Sequence, residues 1–294
     1  MVKIERKKIA KYSFVLPVII ILFAITIFPL LYSLIISFFN LRLISIGGPV
    51  FAGINNYVEI IFRDERFWGS LYNTFSIAIP ALVMEGLIGL LFALLLNTEI
   101  KGRKIITVLL ILPVMIPPIT TGLIWRMLYH EKYGAINGFL HLVGVNTMYT
   151  WLSTPGLAKF AVVLTDVWQW TPFVMMVLLA GLQSIPSEAY EAAKVDGAGP
   201  IQTFIYITLP LLKFSVLVVI LLRLIDLVKL FDIIFVLTRG GPGGTTETIS
   251  IYTYLVSFRA FRMGYGAALS YLLLVITIAF SMVFIKVIRG GVRR

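Results

Sequence analysis

The strongest constraint on this chain is a succession of long apolar runs, at about 13–39, 70–97, 105–129, 157–182, 211–237 and 266–288. A run of about twenty apolar residues, coiled as a helix, matches the hydrocarbon thickness of a bilayer. Inside lipid only helices and closed barrels satisfy every backbone polar group. The pattern predicts an all-α, polytopic membrane bundle of six transmembrane helices. No linker divides residues 1–294, so a single membrane domain is expected. Composition agrees: 59% of residues are hydrophobic and 13% charged, against about 25% charged in soluble domains.

Charge placement predicts the orientation. The net charge of +11 would point a soluble protein toward nucleic acid, but here the cations flank apolar runs. Lys3, Arg6, Lys7, Lys8 and Lys11 precede the first run, and Lys101, Arg103 and Lys104 form the short loop after the second. Lys286, Arg289, Arg293 and Arg294 close the chain. By the positive-inside rule both termini are cytoplasmic, which fits a multi-pass protein of a bacterial or archaeal cytoplasmic membrane. The first run is too long for a signal-peptide core and lacks a small-residue cleavage site, so it reads as a retained span. Trp68, Trp125 and Trp151 fall at the opposite interface, as an aromatic belt would.

Several functions are excluded by what the chain lacks. It has no cysteine and only two histidines, His130 and His141. His130-Glu131 starts like HExxH, but Gly134 occupies the second histidine's place. There is no GxxxxGK[ST] phosphate loop, and no convergent acid, base and nucleophile set. The expectation is a chain that is not an enzyme and binds no metal or cofactor.

Polar residues inside the spans are costly and invite a role. Glu85 in the second span must face the bundle or a wet cavity, or carry a proton. Pro113, Pro117 and Pro118 predict a kinked third span. In the fourth span, Asp166, Trp168, Gln169 and Trp170 fit either packing or a translocation surface whose rings and amides suit sugars. In the fifth, Arg223, Asp226, Lys229 and Asp232 alternate in sign at three-residue steps. They can pair as helix neighbours or line a wet pathway. Asp166, Trp168, Gln169, Trp170, Asp226, Lys229 and Asp232 are therefore the pathway candidates.

The polar stretch Gln183–Pro210 is the most patterned loop. Ser187 is read as an N-cap, Glu188–Asp196 as a helix and Gly197 as its C′ stop. Gly199-Pro200 restarts the chain. The small Ala192 and Ala193 allow a partner to approach closely. Glu191-Ala192-Ala193, Gly197, Ile207, Leu209 and Pro210 complete the pattern EAA, three residues, G, nine residues, I, one residue, LP. They resemble the EAA loop of ABC-importer permeases. Further words, Gly53-Ile54-Asn55-Asn56-Tyr57, Phe67-Trp68, Asn73-Thr74 and LTRGGPGGTTET (ending at Thr248), resemble the sugar-type members, closer to the maltose and glycerol-phosphate systems. A large extra outer domain, present in some maltose-type members, is missing.

The resemblance implies an ABC-importer permease (MetI-like) fold and import of a sugar or polyol. It implies a second permease, two ATPase subunits that carry the ATP and magnesium, and a periplasmic or lipid-anchored solute-binding protein. Membrane lipid is expected around the chain, and no nucleic acid. Glu191, Ala192, Ala193, Gly197, Ile207, Leu209 and Pro210 would couple to the ATPase. Two alternatives stand beside it: the same machinery for glycerol phosphate, and an ion-coupled secondary transporter drawing on the intramembrane carboxylates.

Overall fold

In a computed structural model of the chain the described residues are 15–44 and 48–290, with side chains described through Lys286. The basic N-terminal residues, Gly47, the Arg289 side chain, Arg293 and Arg294 lie outside them. In chain order the elements are α1 (Val15–Ser37), β1 (Phe39–Asn40), β2 (Val50–Phe51), α2 (Asn55–Arg63) and α3 (Glu65–Leu96). Then come α4 (Arg103–Met115), α5 (Pro118–Leu128), α6 (Ala135–Leu142), α7 (Pro155–Gln183) and α8 (Ser187–Val195). The last are α9 (Pro200–Thr203), α10 (Leu209–Val228), α11 (Asp232–Leu237), α12 (Ile249–Tyr254) and α13 (Met263–Gly290). A π-helical turn, Phe204–Thr208, joins α9 to α10, and another, Leu255–Arg259, follows α12.

Five of these helices or helix runs are long and apolar enough to cross a membrane, and α4 with α5 makes a sixth, bent pair. Backbone contacts group the chain into two compact units, residues 1–64 with 253–274, and residues 65–252 with 275–294.

In the first unit, α1 is apolar all round and none of its apolar window is buried. Its end is fixed by the GINNY word: the Asn56 amide donates to the Ser37 and Phe39 carbonyls at 2.7 and 3.1 Å. A two-stranded antiparallel ribbon pairs Phe39 with Phe51. Arg262 donates to Glu59 at 3.0 Å and the Tyr265 hydroxyl to Asp64 at 2.7 Å.

In the second unit α7 is the central helix. Of its apolar window 61% is buried, against 28% for α3. Its most extensive partner is α3, with α10, α4, α5 and α11 packed around it. Close approach requires small residues. A Cβ at Gly89 on α3 would stand 2.6 Å from Val174 on α7, and one at Gly181 on α7 would collide with Ser215 on α10. Ala93, Leu96, Val174, Met175, Leu178, Leu182 and Leu212 fill the core of this junction.

The third span differs from expectation. In place of one kinked helix there are two, α4 and α5, bent by 98°. The residue before a proline is pushed out of the helical region. Ile116 and Pro117 each precede a proline, and both are extended, with ψ of 130° and 140°. The carbonyl freed at Ile116 accepts from the Gln169 amide at 2.8 Å.

The fifth span also breaks. Its helix stops at Val228, and α11 starts at Asp232 after a non-helical Leu230–Phe231. The run of alternating charges is therefore not one helix face.

The connection from Thr238 onward is packed rather than loose. Thr246 and Thr248 are buried, with Thr238 and Thr246 hydroxyls 2.7 Å apart. The Asn73-Thr74 word holds it from α3. Asn73 donates to the Gly244 and Glu247 carbonyls at 2.8 and 3.2 Å, and the Thr74 hydroxyl accepts the Ile249 N–H at 3.0 Å.

Candidate functional site

Two regions of the second unit carry the chemistry. The first is the polar loop between α7 and α10. Its helix α8 starts one residue earlier than expected: Pro186 occupies the N-cap, and Ser187 is the first helical residue with no side-chain cap bond. The C-terminus closes as a Schellman motif. The Gly197 N–H reaches the Lys194 carbonyl at 3.1 Å, and the Ala198 N–H reaches the Ala193 carbonyl at 2.9 Å. The motif needs a left-handed residue, and Gly197 supplies it with φ of +76°. After it, the Gln202 side chain accepts the Gly199 N–H at 2.9 Å.

The helix is two-faced at residue scale. Ala193 is buried, 4% exposed, while Glu191 and Ala192 are exposed. Tyr190 and Thr208 hydroxyls, 3.3 Å apart, tether α8 to the base of α10. Val195 is 88% exposed and Ile201 76%, so apolar surface lies open beside the two outward residues. Ile207 is half-buried, whereas Leu209 and Pro210 are exposed at the start of α10.

The second region is a buried charge cluster. The Arg223 guanidinium (α10) makes a bidentate pair with Glu85 (α3) at 2.6 and 2.8 Å, and donates to Asp166 (α7) at 2.6 Å. All three side chains are at most 1% exposed. The guanidinium carbon lies 4.8 Å from the Trp170 ring centroid, a cation–π distance. Glu85 faces the bundle, one of the positions the sequence reading allowed for it. Its partners are not legible in the sequence, where helix spacing groups Arg223 with Asp226, Lys229 and Asp232.

The pathway candidates do not form one surface. Asp166 and Trp170 belong to the Arg223 cluster. Gln169 holds the α4–α5 break, and Trp168 packs edge-on against Trp125 at 5.7 Å. Asp226 and Lys229 make an exposed pair at 3.6 Å, and Asp232 is exposed in the first turn of α11. A polar group that the sequence did not disclose lies at the start of α3. Arg66 pairs with Glu247 at 2.7 and 2.8 Å, with the Ser70 hydroxyl 3.3 Å from the same carboxylate. Residues separated by 181 positions leave no local pattern to read. Among the described residues no group of three or more His, Asp or Glu is placed to hold a metal ion.

Against known proteins, residues 85–289 match the family model of the binding-protein-dependent transport system inner membrane component. The chain belongs to that family. The permease is 39% identical over 286 residues to the trehalose/maltose transport system permease protein MalF of Thermococcus litoralis, covering 96% of this chain and 94% of that one. It is 35% identical over 273 residues to the sulfoquinovosyl glycerol transport system permease protein SmoG of Agrobacterium fabrum, covering 93% and 88%. Its fold matches a crystal structure of a bacterial ABC transporter involved in import of the acidic polysaccharide alginate. There the TM-score is 0.84 at 22% identity, with 98% of each chain covered. A second structure of such a transporter, in complex with an alginate pentasaccharide-bound periplasmic protein, matches with a TM-score of 0.80 at 23% identity. The ABC-importer permease fold and the multi-pass membrane character expected from the sequence are borne out.

Proposed function

We propose that this permease is the membrane subunit of an ATP-driven importer for a sugar or related polyol, and that α8 is its coupling helix. The observation that carries the coupling reading is the exposed Glu191-Ala192 face of α8. It is closed by a left-handed Gly197, with Ala193 buried behind it and Tyr190 held to Thr208. A partner ATPase would receive that face in a groove. Closure of the ATPase dimer would shift α8, and the packed helices would carry the shift toward the substrate pathway. In this reading ATP and magnesium belong to the partner, and this chain binds no cofactor. The loop and both termini face the cytoplasm, and a solute-binding protein delivers from the other side to a pair of permeases.

The substrate class is supported by the relatives, whose names specify trehalose/maltose, sulfoquinovosyl glycerol and starch degradation products. An anionic glycerol phosphate finds less support. Of the cations flagged in the fifth span, Arg223 faces two carboxylates and Lys229 faces one. The ion-coupled alternative, which drew on Glu85, Asp226 and Asp232, is weakened as well, since Glu85 pairs with a buried guanidinium and Asp226 with Lys229.

The test is purification of the tagged chain from its own membranes in mild detergent, with co-purifying subunits identified by mass spectrometry. Stoichiometric recovery of an ATPase and a second permease is expected. Recovery of the chain alone, from an extract where other assembled complexes survive, would overturn the reading.

A further inference from the structure

The Arg223 cluster is too expensive to be a stability device. Removing charges from water costs several kcal/mol per ion, and apolar replacements of a buried ion pair are often neutral or stabilising. What a guanidinium adds is geometry: a planar fork that fixes distance and angle to a carboxylate. Here the fork fixes three helices at once, through Glu85 on α3, Asp166 on α7 and its own α10.

Two of those helices, α7 and α10, enter and leave the loop that carries α8. Between the cluster and that loop, α7 meets α3 at one point and α10 at another with no room for a further carbon. Gly89 admits no Cβ beside Val174, and Gly181 admits none beside Ser215. Interfaces of this kind transmit displacement because packed side chains resist compression. A block tight at the loop end but free to splay at depth would lose part of any motion applied to α8. The cluster closes the deep end.

We propose that Arg223 is a positioning residue for energy coupling, locking α3, α7 and α10 into one lever so that movement of α8 reaches the deep part of the bundle undiminished. This rests on the coupling role proposed for α8. Arg223 touches neither substrate nor nucleotide in this account; it acts through the helices it joins.

The experiment uses the complete transporter, with its ATPase subunits and binding protein, reconstituted in liposomes. Two quantities are read: solute imported per ATP hydrolysed, and the dependence of hydrolysis on loaded binding protein. The wild-type complex comes first; absence of ATP-driven uptake there would sink the importer reading itself, separately from the lever. Two variants follow. Glu85→Leu/Asp166→Leu/Arg223→Met removes all the charges together, leaving none uncompensated, and Arg223→Lys keeps the charge without the fork. The expected result is assembled complexes with a several-fold fall in solute per ATP, and with hydrolysis that no longer waits for binding protein, the lysine variant being intermediate. Uptake and hydrolysis falling in proportion, with the ratio kept, would show a merely structural role and overturn the proposal. So would wild-type coupling in either variant, or failure of both to assemble.

Discussion

The polar loop and the buried charge cluster are opposite solutions to placing polar residues in a membrane chain. The loop keeps its charges in water, and its order comes from short-range devices: a Schellman closure at Gly197, a helix restart at Pro200, a hydroxyl contact between Tyr190 and Thr208. The cluster buries one cation between two carboxylates drawn from helices 57 and 138 positions away. Damage to the loop should therefore be local and functional, and damage to the cluster global.

Ranked by cost to the fold, substitutions sharpen this contrast. Arg223→Met leaves Glu85 and Asp166 buried without a cation. Breaking a buried pair costs about 3–5 kcal/mol, so the yield of folded, detergent-stable protein should collapse, as size-exclusion chromatography would report. Gly89→Ala forces a methyl against Val174. Overpacking of this kind costs about 1–3 kcal/mol, visible as earlier thermal unfolding with the chain still inserted. Gly197→Trp puts a bulky residue at φ of +76°, where a left-handed conformation costs about 1–2 kcal/mol. The bundle should insert and fold normally while ATP-driven uptake is lost; normal uptake would break the assignment of the loop. Lys229→Ala removes one partner of an exposed pair and should change stability by less than about 1 kcal/mol.

The same contrast explains what could be read in advance. The loop was legible because each of its devices spans few residues, so Gly197, Pro200 and the EAA spacing announce a helix, its stop and its restart. Only the cap was misplaced, since proline at 186 takes the position expected of Ser187. The spans were legible from length and hydropathy. The 98° break was only half legible: three prolines signalled a kink, but two consecutive pre-proline residues forced a corner. Glu85, Asp166 and Arg223 were each conspicuous as charges in apolar runs. Their association was not, because nearest neighbours in sequence, Asp226 and Lys229, offered a cheaper pairing by helix periodicity. That periodicity holds for Asp226 and Lys229, but Arg223 turns inward to Glu85 and Asp166 instead. A search for compensating charges among different spans, rather than within one, would have found the cluster.

The central claim is that α8 docks onto an ATPase through its Glu191-Ala192 face. The chain has no cysteine, so Ala192→Cys introduces one thiol at an exposed position. Short-span cross-linking of that variant in the transport-active complex should join this chain to the nucleotide-hydrolysing subunit and stop uptake. An active complex in which Cys-bearing α8 gives no adduct with that subunit, while remaining open to a soluble thiol reagent, would contradict the account.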